Sequence, residues 1–262
     1  MLDKALADKV IAISHQAGNK IMEIYQRDFD VDVKSDQSPL TEADLAAHHC
    51  IVDGLKALSD LPVLSEESAN IAWSERSQWQ QYWLVDPLDG TKEFIKKNGE
   101  FTVNIALIDQ GKPVFGVVYA PVLQQTYVGI AGQGAYKLTQ GKREDICPAP
   151  HQPGEIWRIV GSRSHQSPEI QAFLDSLGGE SELVAMGSSL KLCLVAEGAA
   201  HLYPRLGPTS EWDTAAAQAV VEAAGGKVTI IDDPANARDE HASVLRYNQQ
   251  ESVLNPYFLV SY

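Results

Sequence analysis

The stretch WLVDPLDGT at residues 83–91 constrains this chain more than any other feature of its sequence. Its first four residues are typical of the end of a buried strand, and the proline after them cannot continue a ladder of backbone hydrogen bonds. The Leu-Asp-Gly that follows predicts a sharp turn, because Gly90 tolerates positive φ. We therefore expect Asp86 at a strand end and Asp89 within the turn, with both carboxylates and the Leu88 carbonyl facing one point.

Three oxygen atoms that converge without an imidazole or a thiolate suit a hard divalent cation such as Mg²⁺. The alternative is an ordinary surface turn, because Asp-Pro and Asp-Gly are common turn dipeptides.

Two other acidic segments extend the metal hypothesis. LSEES (64–68) ends a short apolar run with Glu66 and Glu67, and one of them could reach the same point if the two strands are neighbours. The alternative is a solvated loop. Asp213 lies near the start of a helix predicted at 212–224, where capping or compensation of the helix dipole is the alternative role.

The sequence PLTEAD at residues 39–44 opens another predicted helix. Thr41 and Asp44 have the spacing of a capping box, which is compatible with a further role for Asp44.

Apolar periodicity and turn residues divide the chain into helices and strands. Helices are predicted at 2–25, 41–58, 168–177, 188–197 and 212–224. Strands are predicted at 29–33, 62–65, 82–86, 101–108, 113–120, 125–131, 134–138, 157–161, 182–186, 201–204 and 227–231. The strands between 101 and 138 indicate an antiparallel meander, and residues 140–146 are interpreted as a charged loop.

The polar, proline-containing stretch 141–155 is the best internal boundary. Residues 1–140 combine helices with the meander and carry most of the candidate metal ligands. Residues 156–262 alternate strands with helices, which favours a sheet covered by helices, and they contribute Asp213 and substrate contacts. We interpret residues 1–262 as a single catalytic unit.

Composition limits the classes of partner. The chain has 262 residues and a formal charge of −14, which argues against non-specific binding to a nucleic-acid polymer. A small polyanion would need local positive charge. Cys50, Cys147 and Cys193 are widely spaced, which fits a reducing compartment. With no 18-residue apolar run and no signal-peptide pattern, we expect a cytoplasmic protein without a transmembrane segment.

Three motifs in order carry a family resemblance: Glu66-Glu67, DPLDGT (86–91), and WDTAA (212–216) followed by AGG (224–226). Together they resemble the inositol monophosphatase superfamily of metal-dependent, lithium-sensitive phosphatases. Three further segments are similar to the bacterial 3′(2′),5′-bisphosphate nucleotidases of the CysQ type, namely 86–108, GSRSH (161–165) and GPTSEWD (207–213). Inositol monophosphatases typically follow DGT with TNF, where this chain has Lys92-Glu93-Phe94.

The resemblance implies an α/β fold, the layered αβαβα sandwich of the sugar phosphatases. It implies that Glu66, Asp86 and the Leu88 carbonyl bind one Mg²⁺. Asp86, Asp89 and Asp213 would bind a second ion, and a third, weaker ion would use Glu66 and waters.

The resemblance also implies roles in catalysis and in substrate binding. Thr91 and Asp44 would orient and deprotonate the attacking water, with Glu66 as the third catalytic residue. Thr91 is otherwise the N-cap of a short helix, and serine capping is the alternative at Gly187-Ser188-Ser189. Arg205 replaces an acidic residue of inositol monophosphatases, which favours a more negative substrate, although it could be a plain surface charge, like Lys191. The implied substrate-binding residues are Gly90, Thr91, Arg163, Ser164, His165, Gly187, Ser188, Lys191, Arg205 and Asp213.

The expected activity is hydrolysis of the 3′-phosphate of adenosine 3′,5′-bisphosphate to AMP and phosphate, in sulfur metabolism, with inhibition by lithium. The sulfated relative of that nucleotide is a second expected substrate. The alternatives are an inositol monophosphatase or sugar-bisphosphate phosphatase, and a non-catalytic sensor of a phosphorylated metabolite. The sequence leaves the oligomeric state open, and the resemblance leaves open a loose association with the inner membrane.

Overall fold

The computed structural model describes residues 4–33, 39–161, 168–233, 237–239 and 241–262. Its helices are α1 (Lys4–Tyr25), α2 (Glu42–Leu58), α3 (Trp73–Arg76), α4 (Thr91–Ile95), α5 (Pro168–Leu177), α6 (Leu190–Ala196) and α7 (Glu211–Ala224). Its strands are β1 (Val31–Val33), β2 (Pro39–Thr41), β3 (Val63–Ser65), β4 (Gln81–Asp89), β5 (Thr102–Asp109), β6 (Lys112–Ala120), β7 (Gln125–Ile130), β8 (Gly134–Thr139), β9 (Lys142–Ile146), β10 (Trp157–Gly161), β11 (Ser181–Ala185), β12 (Tyr203–Arg205), β13 (Lys227–Ile230) and β14 (Phe258–Ser261).

The largest sheet has seven strands in the order β3-β4-β5-β6-β7-β8-β9. β3 is parallel to β4, and every later pair in this sheet is antiparallel, so the predicted meander is confirmed. The prediction of a loop at 140–146 is wrong, because Lys142–Ile146 pairs with β8 as the last strand of the sheet. Exposed charged side chains are tolerated on an edge strand, where they also discourage pairing with another chain.

The sequence predicted that this strand ends at Asp86. In the structure, β4 continues to Asp89. The pairing with β5 joins Asp86 to Asn104 and resumes only at Asp89, which pairs with Thr102. The intervening Pro87 and Leu88 therefore form an irregularity within the strand, in agreement with the inability of proline to donate a ladder hydrogen bond.

Helices cover both faces of this sheet. On one face, α1 and α2 bury an apolar cluster that includes Val10, Ile21 and Ile51 against Trp83 and Phe115. On the other face, α7 lies against β4 to β8, and α6 packs beside it. These contacts bury two apolar faces of the same sheet, which is the main source of stability in a layered α/β fold.

Glycine allows α7 to approach the sheet closely. A Cβ atom at Gly116 of β6 would lie 2.1 Å from the carbonyl oxygen of Ala216, and one at Gly129 of β7 would lie 2.4 Å from that of Ala219. Side chains at these two positions would push the helix away from the sheet.

The later part of the chain forms a second β layer. β12, β14 and β13 form an antiparallel sheet, whereas β10 and β11 form a parallel pair. Phe173 of α5 is buried with Trp157, Ile159 and Leu259 of this layer. β14 was not predicted from the sequence. The resulting mixed α/β architecture, with helices between and outside two β layers, confirms the predicted fold class.

Two predicted helix starts differ from the structure. The helix predicted at 188–197 begins at Leu190, because Ser188 has a φ of +47°, which lies outside the helical region. Thr91 is the first residue of α4 and not its N-cap, since Gly90 takes the cap position with a φ of +94°. The predicted capping box of Thr41 and Asp44 at the start of α2 is confirmed.

One apolar cluster, which includes Leu84, Tyr127, Val160 and Val220, joins elements of residues 1–140 to elements of residues 156–262. The interpretation of the chain as a single catalytic unit stays a prediction. Among the described helices, none has the length and apolar character needed to cross a lipid bilayer.

Candidate active site

The first part of the site lies where β3 ends beside β4. Ser65, the last residue of β3, pairs with Val85, so Glu66 and Asp86, which follow this pair in the two segments, lie next to each other. Asp86 is 1% exposed, and its Oδ1 accepts the Leu88 N–H at 3.0 Å. Glu66 is among the described residues that line a cavity of about 270 Å³ together with Asp86. The expected neighbouring arrangement of the two acidic segments is therefore present.

Asp89 is held by Asn104, which was not identified from the sequence, and by Ser189, which was considered there only as part of the helix start at 187–189. The backbone N–H of Ser189 donates to Asp89 Oδ2 at 2.5 Å, and Asn104 Nδ2 approaches the same oxygen at 3.5 Å. Ser189 Oγ in turn donates to Asn104 Oδ1 at 2.8 Å and lies 2.8 Å from Thr102 Oγ1. A buried polar network therefore fixes the orientation of this carboxylate.

Asp213 enters the site from the first turn of α7. It forms a capping box with Ser210, whose backbone N–H donates to Asp213 Oδ2 at 2.8 Å. One carboxylate oxygen from each of Asp86, Asp89 and Asp213 lies within 4.8 Å of the other two. Capping of α7 and a position in the carboxylate group were predicted as alternatives for Asp213. In the structure Asp213 caps the helix and also lies beside the carboxylates of Asp86 and Asp89.

The three aspartates share one arrangement. Each carboxylate accepts one backbone N–H, from Leu88, Ser189 or Ser210. One oxygen of each carboxylate thus has a hydrogen bond from the main chain. Carboxylate oxygens arranged in this way form a donor set that a hard divalent cation prefers.

The electrostatics of the group are unfavourable in the absence of a cation. Burial raises the pKa of Asp86 well above its ordinary value, and the charges of Glu66, Asp89 and Asp213 raise it further. Burial also raises the pKa of Asp89, although Lys191 and the Ser189 N–H oppose the rise. The pKa of Asp213 is raised by burial and by the charge of Asp89. A cluster of carboxylates with raised pKa values is typical of functional sites.

Thr91 and Asp44 lie together, 47 residues apart in the sequence. The hydroxyl of Thr91 donates to Asp44 Oδ1 at 3.1 Å. The other carboxylate oxygen, Oδ2, accepts the Thr41 N–H at 2.8 Å and the Thr41 hydroxyl at 2.6 Å. Burial raises the pKa of Asp44, and these hydrogen bonds oppose the rise. Asp44 therefore serves the helix cap with one oxygen and contacts Thr91 with the other.

A second cavity, of about 210 Å³, adjoins the first and shares four lining residues with it, namely Asp89, Gly90, Glu93 and Asp213. It contains four of the residues expected to bind substrate, Gly187, Ser188, Lys191 and Arg205. Burial lowers the pKa of Lys191, whereas the charge of Asp89 raises it. Within the described part of the chain, Ser188 Oγ and Arg205 Nε are buried polar atoms without a hydrogen-bond partner.

Gly187 has a steric reason to be glycine. A Cβ atom there would lie 2.9 Å from both the Cβ atom and the carbonyl oxygen of Glu100. The remaining expected substrate contacts, Arg163, Ser164 and His165, lie outside the described residues.

The sequence did not indicate Asn104 and Thr102, and it indicated Ser189 only as part of a helix start. The network formed by these three residues depends on a contact between β5 and the start of α6, about 85 residues further along the chain. Glu93, three residues after Gly90 in the sequence, lines both cavities. Only its position next to the DPLDGT motif could have indicated that it belongs to the site.

Comparison with known proteins gives consistent results. The model of the inositol monophosphatase family matches residues 3–255. The 3′(2′),5′-bisphosphate nucleotidase CysQ of Escherichia coli K12 is 51% identical over 259 residues, which cover 98% of this chain and 99% of the relative. The protein of the same name from Haemophilus influenzae is 36% identical over 261 residues, covering 99% and 93%. The crystal structure of CysQ from Bacteroides thetaiotaomicron superposes with a TM-score of 0.84 at 42% identity, covering 98% of this chain and 97% of that one.

Removal of one buried charge should stabilise the metal-free protein. The raised pKa of Asp86 means that the folded state binds a proton at pH values where the unfolded state has released it, so stability falls as pH rises above about 4. We expect Asp86→Asn, which keeps the acceptor of the Leu88 N–H, to raise the metal-free Tm at pH 8 by at least about 2–4 °C, the equivalent of about 1 kcal/mol. Thermal unfolding in the presence of a chelator measures this.

The control is Asp60→Asn, which removes an exposed carboxylate and should leave the Tm unchanged. The difference between Asp86→Asn and wild type should disappear as the pH falls below about 4, where Asp86 becomes protonated in the unfolded state as well as in the folded state. A lower Tm for Asp86→Asn at pH 8 without metal would contradict the electrostatic account.

Proposed function

The chain belongs to the inositol monophosphatase family, and on this premise we propose that it is a magnesium-dependent phosphatase acting on a nucleoside bisphosphate. Its proposed reaction is the hydrolysis of the 3′-phosphate of adenosine 3′,5′-bisphosphate to AMP and phosphate. The sulfated relative of this nucleotide, 3′-phosphoadenosine 5′-phosphosulfate, would be a second substrate. The observation that carries the proposal is the convergence of the buried Asp86 carboxylate with the partly buried Asp89 and Asp213 carboxylates beside the Thr91–Asp44 pair.

The residues present fit a divalent cation. Three carboxylates with like charge and raised pKa values need a positive partner when they are ionised. We assign Asp86, Asp89 and Asp213 to one Mg²⁺, and Glu66, Asp86 and the Leu88 carbonyl to another, with a third, weaker ion at Glu66. When bound, such ions would neutralise phosphoryl oxygens, lower the pKa of a bound water and stabilise the leaving oxygen.

The protein residues would handle the proton of the attacking water. Because the Thr91 hydroxyl donates to Asp44, its oxygen lone pairs can accept a hydrogen bond from that water. Asp44 is buried and has a raised pKa, so it is a better proton acceptor than an exposed aspartate. The Thr41 N–H and hydroxyl hold Asp44 in place during the transfer.

The second cavity supports a substrate with two phosphates. It combines the cationic Lys191 and Arg205 with the Ser188 hydroxyl, and two polar atoms of this set are buried without a partner. Such groups cost free energy unless a ligand satisfies them. Because this cavity shares Asp89 and Asp213 with the metal-binding cavity, a phosphate here would belong to the same substrate molecule as the one that is hydrolysed.

An apolar groove supports a nucleotide over a polyol. This groove, of about 470 Å³, adjoins the second cavity through Tyr203 and Arg205, and its apolar lining residues include Leu174, Leu183 and Leu206. Leu183 is 41% exposed, so part of its aliphatic side chain is accessible to a ligand in the groove. An adenine ring could cover this surface, whereas inositol has no apolar part that would do so.

A cytoplasmic location, a role in sulfur metabolism and lithium sensitivity remain predictions. The oligomeric state is open.

The proposed activity is tested by phosphate release from adenosine 3′,5′-bisphosphate and from inositol 1-phosphate, with Mg²⁺ varied and Li⁺ added. We expect Mg²⁺-dependent, Li⁺-sensitive release that is fastest on the nucleotide. Asp89→Asn should lower kcat/KM by at least about a hundredfold, because it removes one charge from the metal group while keeping its shape.

A preference for inositol 1-phosphate would support an inositol monophosphatase instead. No release from either compound by a protein that still binds the metal would favour a non-catalytic sensor.

The second cavity is tested by Arg205→Ala on a matched pair of substrates. Adenosine 3′,5′-bisphosphate carries the second phosphate, and 3′-AMP lacks it. We expect KM for the bisphosphate to rise about ten- to a hundredfold, as loss of a charged hydrogen bond of about 1.5–3 kcal/mol predicts, and KM for 3′-AMP to change little. Steady-state kinetics on both substrates measures this.

Lys112→Ala, at an exposed position on β6, is the control and should leave both KM values unchanged. An equal rise for both substrates in Arg205→Ala would mean that Arg205 does not bind the second phosphate.

A further inference from the structure

Asp213 differs from the other two clustered aspartates in what holds it. Asp86 and Asp89 lie on β4, within the large sheet, whereas Asp213 reaches the group from α7 in the adjacent layer. Its distance from the other two carboxylates therefore depends on where the first turn of α7 lies. Because its carboxylate lies close to those of Asp86 and Asp89, charge repulsion favours displacement of Asp213 from the group when no cation is bound. Something must hold that turn in place.

The segment 247–255 crosses the first turn of α7 and is bonded to it through the main chain. The Glu211 N–H donates to the Val253 carbonyl at 2.8 Å, and the Asn255 N–H donates to the Thr209 carbonyl at 2.8 Å. Between these two bonds, Ser210 and Leu254 form an antiparallel bridge. The start of the helix is thus paired with this segment much as one strand is paired with another.

The side chain of Asn255 adds three contacts from a single amide nitrogen. Its Nδ2 lies 2.7 Å from the Ser210 carbonyl, 3.1 Å from Thr214 Oγ1 and 3.2 Å from Thr209 Oγ1. Thr209 precedes α7, Ser210 is its N-cap, and Thr214 lies within the helix. Ser210 is also the residue whose N–H fixes Asp213 Oδ2. One amide therefore fixes the residue that orients the Asp213 carboxylate.

The other end of the segment is anchored to α3. Asn248 Oδ1 accepts a hydrogen bond from Arg76 Nη1 at 2.7 Å, and Asn248 Nδ2 donates to the Arg76 carbonyl at 2.6 Å. The Arg76 guanidinium, which is buried, also donates to the carbonyl of Glu251. The Asn248 N–H donates to Glu211 Oε1 at 2.8 Å. Near Asn248 the segment is therefore held by side-chain hydrogen bonds with Arg76 and by a backbone hydrogen bond to Glu211.

We propose that Asn255 is a positioning residue for the divalent-cation site, and that it acts by holding Ser210 and thereby the Asp213 carboxylate. This inference rests on the proposed metal-dependent function. Asn255 touches neither the cation nor the substrate in this arrangement. Its loss should weaken binding of the ion that Asp213 ligates, since the carboxylate would then have to be repositioned on binding.

The test is calorimetric titration of Mn²⁺ into the metal-free protein without substrate. We expect Asn255→Ala to raise the Kd for at least one Mn²⁺ by about tenfold, in the range found for loss of residues that orient metal ligands. The matched control is Asn248→Ala on the same segment, which loses two side-chain hydrogen bonds with Arg76 but none with the Asp213 turn. It should lower the Tm while leaving the Kd within twofold of wild type.

Kinetics supply a second readout. In Asn255→Ala the Mg²⁺ concentration for half-maximal phosphate release should rise by a similar factor, and kcat at saturating Mg²⁺ should approach the wild-type value. Loss of stability alone would not raise the Mg²⁺ requirement while kcat at saturating Mg²⁺ stays near the wild-type value. If Asn255→Ala does not fold, Asn255→Ser, which keeps a shorter donor, decides the question by the same titration.

An unchanged Kd in the folded Asn255 variant would overturn the proposal, as would an equal rise in Asn248→Ala. Failure of wild type itself to bind Mn²⁺ would instead overturn the proposed metal-dependent function, so the two failures are distinguishable.

Discussion

The repulsion among Asp86, Asp89 and Asp213 is the constraint on which the rest of the site depends. Three carboxylates with oxygen atoms within 4.8 Å of one another, one of them buried and two partly buried, are unfavourable unless they are protonated or neutralised. The fold holds them there with backbone N–H groups of Leu88, Ser189 and Ser210, which cannot move away without disturbing the main chain. The protein therefore sacrifices some stability in the metal-free state to preserve a binding site for cations.

The layered architecture explains how distant parts of the chain reach this point. The parallel pairing of β3 and β4 places Glu66 beside Asp86, and Gly116 and Gly129 let α7 approach the same sheet closely. The start of α7 can then meet the irregular end of β4. Gly116 and Gly129 therefore affect the site, because larger side chains at these positions would shift α7, which carries Asp213.

Much of this site was predictable from local sequence. Asp86 and Asp89 flank a proline whose backbone chemistry forces an irregularity, and Asp213 lies at a recognisable helix start, so their candidacy required no tertiary information. The family resemblance then selected Glu66 and paired Thr91 with Asp44, and the structure brings those two side chains within 3.1 Å. The roles of these residues in catalysis and metal binding stay predictions.

The supporting residues were not predictable in the same way. Ser189 and Asn255 are common polar residues without a motif, and their partners lie about 100 and 45 residues away in the sequence. The charged edge strand β9 and the short β14 were missed because neither has an alternation that local patterns detect, and both are defined by the strands they pair with. Long-range pairing, and not local propensity, decides such elements.

The most direct measurement is an anomalous-difference electron-density map from crystals of the protein grown with Mn²⁺. The account predicts a strong peak within coordination distance of the Asp86, Asp89 and Asp213 carboxylates, and a neighbouring peak between Glu66 and the Leu88 carbonyl. Absence of density between the three aspartates, in crystals that contain Mn²⁺ elsewhere, would contradict the claim that these carboxylates are held together to bind a cation.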